Sequence, residues 1–211
     1  PKMTIPAGFW PMGGKREVCP YTANQKLLDI RPSSTSAVSG SIEILADGRF
    51  KLELEAAGGA GSGWQDENVW AGGGSAAAIV VEVILTAGKY LYSVPGKTKA
   101  SGFWTSGGSG GTAYFKSSNA SAVNFKVTGG KSTYGSTNNA GGTVSSFTGT
   151  VKKTVLKKNG NAASGWTNAP GAENAGGASV YVVDNVKFGA GGSTTKAGNQ
   201  GFLRLTFISE E

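Results

Sequence analysis

The sequence predicts an all-β fold, a sandwich or jelly-roll-like arrangement with glycine-rich, polyproline-II-like insertions and almost no helix. Three observations lead there. Short alternating or apolar runs recur along the chain with turn residues between them. Beyond residue 40 no stretch keeps a convincing helical period. Glycine supplies 35 of the 211 residues, where ordinary usage is about 7%, and it is gathered into clusters between the runs.

Residues 1–39 read as an N-terminal arm or attachment segment, and residues 40–211 as a glycine-rich β domain. Pro1, Pro6, Pro11, Pro20 and Pro32 fall in the first part, with one short apolar turn, Asn24 to Ile30, that fits a helix or a strand. An arm that packs on a neighbour would look like this; so would an ordered first layer of the same domain. The only cysteine, Cys19, rules out an intrachain disulfide framework and a multi-cysteine metal site. It reads as a small apolar filler, the alternative being a reactive or intermolecular thiol.

From Gly40 the pattern becomes β. Ser41 to Ala46 and Arg49 to Ala57 flank Asp47-Gly48, with Phe50, Leu52 and Leu54 on one face of the second run. Such a pair of residues between two strands predicts a hairpin. Ala77 to Thr86 is apolar on both faces apart from Glu82, as in a strand inside a sandwich. Ala87-Gly88 then leads into Lys89 to Val94, a second expected hairpin. Further strands are expected at Ala113 to Lys116, Val123 to Thr128, Thr148 to Leu156, Ser179 to Phe188 and Phe202 to Ile208. Lys152, Lys153, Lys157 and Lys158 fall on both faces of one segment, which suits a solvated hairpin or an edge guarded against aggregation. No nucleic-acid motif accompanies the net charge of +7, so specific nucleic-acid binding is not expected.

The connections are what set this chain apart: AAGGAGSGW, WAGGGSAAA, TSGGSGGTA, VTGGKST, NNAGGTV, NAGGASV and FGAGGST. A phosphate loop would need a helix after its glycines, and neither Gly129-Gly130-Lys131-Ser132 nor Gly14-Lys15 has one in the pattern. A flexible linker would be polar throughout, yet these clusters are bounded by residues such as Trp64, Trp104 and Tyr114. The remaining reading is close backbone packing, with extended segments of three residues per turn and glycine where neighbours crowd.

The order of these pieces is recognisable. DGRFKLELEAAGGAGSG, GGGSAAAIVVEVILTAGKYLYSVPG, GGSGGTAYF, FKVTGGK, GGASVYV, GAGG and a closing GFLRLTF resemble the glycine-rich domains of bacteriophage tail fibre and tail tip proteins. The pattern is also similar to the extracellular glycine-rich domain of anaplastic lymphoma kinase receptors. The resemblance spans about residues 46 to 208, strongest at 79 to 96 and at the ending.

Histidine is absent, which removes the commonest general base and histidine-ligated metals. Asp66-Glu67 is an acidic pair, but adjacent strand residues face opposite ways and do not share a substrate. Asp184 in VYVVDNVKF reads as a polar residue on a wet strand face; a calcium site would need a richer oxygen set. No enzyme activity, cofactor or metal is expected. No run approaches the roughly 18 apolar residues of a membrane span, and the first residues do not read as an uncleaved signal peptide.

The resemblance implies a virion structural protein at the tail fibre, tail tip or particle surface, acting in assembly and host receptor binding. Expected partners are other virion subunits, further copies of itself, and a host surface polysaccharide or protein. Trp64, Trp70, Trp104 and Trp166 are the candidate contacts, because exposed tryptophan offers a flat apolar face for recognition; as core residues they would instead cover the glycine layer. The alternative is a bacterial surface or secreted polymer subunit, pilus-like or matrix-forming, whose arm enters the next copy.

Overall fold

The computed structural model describes residues 19–64, 69–100, 107–119, 121–132, 139–163, 166–167 and 176–210. Among these residues there is no helix, and the architecture is two antiparallel sheets packed together with a third, small one. The first sheet has the order β1 (Lys26–Ile30), β13 (Phe202–Ser209), β3 (Gly48–Glu55), β6 (Ala78–Leu85), β11 (Thr150–Lys158). The second has the order β10 (Val144–Thr148), β9 (Asn124–Val127), β8 (Ala113–Ser117), β7 (Gly88–Val94), β2 (Val38–Ile44). The third joins β12 (Trp166–Thr167), β5 (Val69–Ala71) and β4 (Ser62–Trp64).

Alternation puts the core between the two large sheets. Phe50, Leu52 and Leu54 of β3 and Ile79, Val81 and Val83 of β6 share a buried cluster with Phe115 and Phe125 of the facing sheet. Each such side chain contributes roughly 1.5–3 kcal/mol by leaving water. Tyr90 stacks on Phe115 with ring centroids 5.4 Å apart. Tyr21 packs against Phe50 and Phe207 at one end, and Cys19 lies half-buried against the same cluster. No helix of the described residues is long and apolar enough to cross a membrane.

The two expected hairpins are corners instead. β2 lies in the second sheet and pairs with β7, whereas β3 lies in the first and pairs with β6 and β13. A two-residue type I′ hairpin needs positive φ at both central residues, and neither Asp47 nor Gly48 has it. Gly48 is needed for another reason: a Cβ there would stand 2.7 Å from the Phe207 ring. Asp47 Oδ1 accepts a 2.7 Å hydrogen bond from the Ala87 amide. The two chain passages between sheets are thereby tied side by side, with Ile44 paired to Gly88 and Gly48 to Leu85. Gly149 makes a third corner, from β10 to β11, at φ +150°. Asp47→Ala should cost about 1 kcal/mol in urea denaturation, the usual value of one such bond; an unchanged midpoint would show the corners hold without it.

The strand expected at Ser179 to Phe188 is also corrected. Asp184 and Asn185 adopt left-handed φ values of 50° and 63°, a conformation these residue types tolerate, and the chain reverses there with Val183 bridged to Val186. The segment lies over the outer face of the first sheet. Asp184 is therefore not on a strand: its carboxylate meets Arg31 at 2.5 Å and Arg204 at 2.7 Å. Phe188 stacks on Phe202 at 4.8 Å.

Residues 19–39 take part in the same sandwich. β1 pairs with β13, from Lys26 opposite Thr206 to Ile30 opposite Leu203, and β2 begins at Val38. Residues 1–18 lie outside the described residues. β11 is an edge strand with bulges at Val151/Lys153 and Thr154/Leu156. Its exposed lysines fit the guarded edge that their two-faced spacing predicts.

Candidate functional site

The strands do not end at tight turns on both sides of the sandwich. At one end lie the three corners, the start of β1 and the end of β13, where Asn24 N–H bonds the Phe207 carbonyl. At the other end β3, β7, β9 and β11 run out into glycine-rich segments that return as β6, β8, β10 and β13.

These segments form a bundle held main chain to main chain. In residues 73–77 the amides of Gly73 and Ala76 donate to carbonyls of Gly192 and Gly189, those of Gly74 and Ala77 to Lys131 and Thr128, and that of Ser75 to Asn161. The partner segment repeats every third residue. Residues 57–61 do the same: Ala57 and Ala60 donate to Gly111 and Gly108, Gly58 and Gly61 to Asn199 and Lys196, and Gly59 to Gly74. A rotation of one third of a turn per residue is the signature of a polyproline-II helix, which has no internal hydrogen bonds and so offers every amide to a neighbour.

Segment 73–77 lies at the centre. It accepts bonds from Gly59, Gly142 and Gly177, so six segments surround it: those at 56–59, 128–131, 140–142, 160–161, 176–177 and 189–192. A Cβ on Gly73 would stand 2.0 Å from the Gly59 carbonyl oxygen, and one on Gly74 2.1 Å from that of Ala140. Gly130 of the GGKS run is likewise filled by the Gly74 carbonyl, at 1.8 Å. The glycines are the packing material, and at Gly130 no cradle for a phosphate is left.

At the end of the bundle away from the sandwich, three segments continue into the small sheet. Residues 57–61 lead into β4, β5 leads into 73–77, and 159–163 precede β12. The register pairs Gly63 and Thr167 with Trp70, and Ser62 and Trp166 with Ala71, while Trp64 pairs with Val69. Three of the four candidate tryptophans, Trp64, Trp70 and Trp166, thus sit in one three-stranded sheet despite about a hundred residues of separation. Trp104 and the Asp66-Glu67 pair lie outside the described residues.

One polar cluster was not legible in the sequence. Glu53 and Glu55 alternate along β3 on its outer face, 3% and 0% exposed, beneath the 179–189 segment. Tyr181 donates to Glu53 at 2.5 Å. Burial pushes the Glu55 carboxyl up to about 9, against a smaller opposing effect of the Ser179 hydroxyl 3.2 Å away. The Ser179 hydroxyl also lies 2.5 Å from the Tyr181 carbonyl oxygen. A buried, shifted carboxyl is an active-site sign only when a substrate can reach it. This pair is closed over, and it fastens the segment to the sheet.

Beside it, Asp29 and Asp184 alternate with Arg31 and Arg204. Burial alone would raise the Asp29 carboxyl, but bonds to Arg31 and Arg204 outweigh it and hold it low. Those two arginines lower Asp184 to about 2. Among the described residues no group of three or more metal-ligating side chains occurs.

Fold and site together define a class: a β sandwich extended at one end by a bundle of glycine helices, capped by a small tryptophan-bearing sheet. No protein-family model matches the chain, and no curated protein sequence matches it.

Proposed function

We propose that this chain is a non-enzymatic component of a bacteriophage virion, at the tail fibre, tail tip or particle surface, which anchors by its corner end and recognises a host surface polysaccharide or protein at the other. The observation that carries this reading is the separation of the two ends. The corners, the start of β1 and the end of β13 mark one pole, while the small sheet with Trp64, Trp70 and Trp166 stands beyond the glycine bundle. A receptor-binding domain needs that polarity, with attachment at one pole and contact at the other. Tryptophan suits the contact because a large apolar face loses little conformational freedom on binding.

The reading as a bacterial surface or secreted polymer subunit draws less support. It needs an N-terminal arm that leaves its own domain, and Lys26–Ile30 pair with β13 of their own chain.

Trp70→Ala and the Trp64→Ala/Trp166→Ala pair are expected to lower adsorption of the labelled protein to host cells at least tenfold, a loss within the range of interface hot spots. Thermal melts of the variants should stay close to the parent. Equal adsorption by parent and variants would overturn the assignment of the far end. Antibody labelling that marks cell-envelope polymers and leaves phage particles bare would overturn the virion assignment.

A further inference from the structure

We propose that a cleft on the flank of the glycine bundle binds an anionic sugar, one carrying a carboxylate or a phosphate. The cleft, about 560 Å³, opens between the loop at Thr35 and Ala37 and the segments 95–100 and 107–111. That volume lies within the roughly 300–1,000 Å³ of small-molecule sites and exceeds what a bare inorganic anion fills.

Gly108 is the first clue. Elsewhere in the bundle, as at Gly73, Gly74, Gly110 and Gly130, neighbouring backbone occupies the place of a Cβ. At Gly108 the nearest atoms among the described residues are 3.7 Å away, and its φ is not in the left-handed region. Packing among the described residues does not demand a glycine there, yet its absence of a side chain keeps the floor of the cleft low enough for a ligand to lie on main chain.

The donors are the second clue. Lys97 and Lys99 stand exposed at the rim, and neither ammonium meets a carboxylate among the described residues. The amides of Lys99 and Gly108, close neighbours across the floor, have no acceptor among the described residues. Among the described residues no acidic one lines the cleft. Clustered backbone N–H groups beside ammonium groups favour an anion. The wall sets the Thr35 hydroxyl beside the apolar surfaces of Ala37, Pro95 and Ala100, while the Thr98 and Ser109 hydroxyls are bonded to Gly198 and Ser132; a mixed lining of this kind suits the hydroxyls and apolar ring faces of a sugar better than an acyl chain.

The cleft is separate from the small sheet, so its failure and that of the receptor reading are distinguishable. The test is an amide-resolved NMR titration of the whole chain at about 0.15 M salt. The probes are a glucuronate-bearing tetrasaccharide, glucose 6-phosphate, neutral maltotetraose, inorganic phosphate and duplex DNA. The expected result is movement of the Lys99 and Gly108 signals with one or both acidic sugars, the responding probe telling carboxylate from phosphate. Lys97→Gln/Lys99→Gln should weaken it at least tenfold, and Gly108→Val, which fills the floor without a backbone clash, should abolish it. The proposal falls if neither acidic sugar moves these signals, if maltotetraose or inorganic phosphate does so equally well, or if DNA or the sugars perturb mainly the β11 lysines.

Discussion

Gly74→Ala is expected to prevent the chain from reaching its native fold, while Gly108→Ala leaves stability within about 0.5 kcal/mol of the parent. The two glycines sit in the same bundle and differ only in surroundings. At Gly74 the added methyl would stand 2.1 Å from the oxygen and 2.6 Å from the carbon of the Ala140 carbonyl. Neither side is free to give. The Gly74 amide is bonded to Lys131 and its carbonyl to Gly59, so a shift in segment 73–77 breaks bonds to other neighbours of the same segment. Inserting atoms into a side-chain core usually costs about 1–3 kcal/mol because rotamers adjust; main chain has no rotamers, and the cost should exceed about 3 kcal/mol. Circular dichroism and thermal melts of both variants, prepared alike, check this. A well-folded Gly74→Ala with a parent-like melting temperature would remove the argument that these segments are packed backbone.

The second large effect is expected from pH. Glu55 titrates near 9 in the folded chain instead of its ordinary 4.5, because its ionised form would sit in a closed, dry site. The folded state therefore holds this proton more tightly than the unfolded one. Its contribution is fully present below pH 4.5 and declines as pH rises to about 9, by up to about 1.4 kcal/mol per unit. Asp29 and Asp184 act in the opposite sense. Their folded values are lowered, that of Asp184 to about 2, so what they contribute is lost as pH falls below about 4. Stability should peak between roughly pH 4 and 5 and be clearly lower at pH 8, although approach to neutral net charge would by itself favour the higher pH. Glu55→Gln should flatten the slope between pH 5 and 8. Denaturant midpoints at the two pH values decide it, and a parent whose midpoint does not move, or a variant with the same slope, would refute the buried neutral carboxyl.

The alternation in FKLELE and the apolar run AIVVEVIL marked β3 and β6 in the sequence to within two residues, because a strand with one or two buried faces writes its burial into a period of two or a solid run. Pairing was not legible. Asp47-Gly48 carries the letters of a hairpin, and what decides between hairpin and corner is the Phe207 ring and the Ala87 amide, both distant in sequence. The 179–188 segment failed for a related reason: Val180, Val182 and Val186 imitate a strand, but two left-handed residues interrupt it. The extended packing of the glycine clusters was legible from composition and flanks. The assembly of Trp64, Trp70 and Trp166 was not, since proximity there follows from which strand ends which segment continues. The Glu53–Tyr181 and Glu55–Ser179 contacts left no local signal either, because a buried glutamate and an exposed one look alike in an alternating strand.

The central bundle has a consequence for biosynthesis. Segments 57–61 and 73–77 leave the ribosome before residues 189–199, yet Gly58 and Gly73 donate to Asn199 and Gly192, and Ala76 to Gly189. Loops of more than a hundred residues must close before those amides find acceptors, a slow step with a large entropic cost. The nascent chain therefore carries its unmatched glycine tracts until residues 189–199 have been translated, and a polypeptide truncated before Gly189 is a substrate for proteases rather than a smaller working domain.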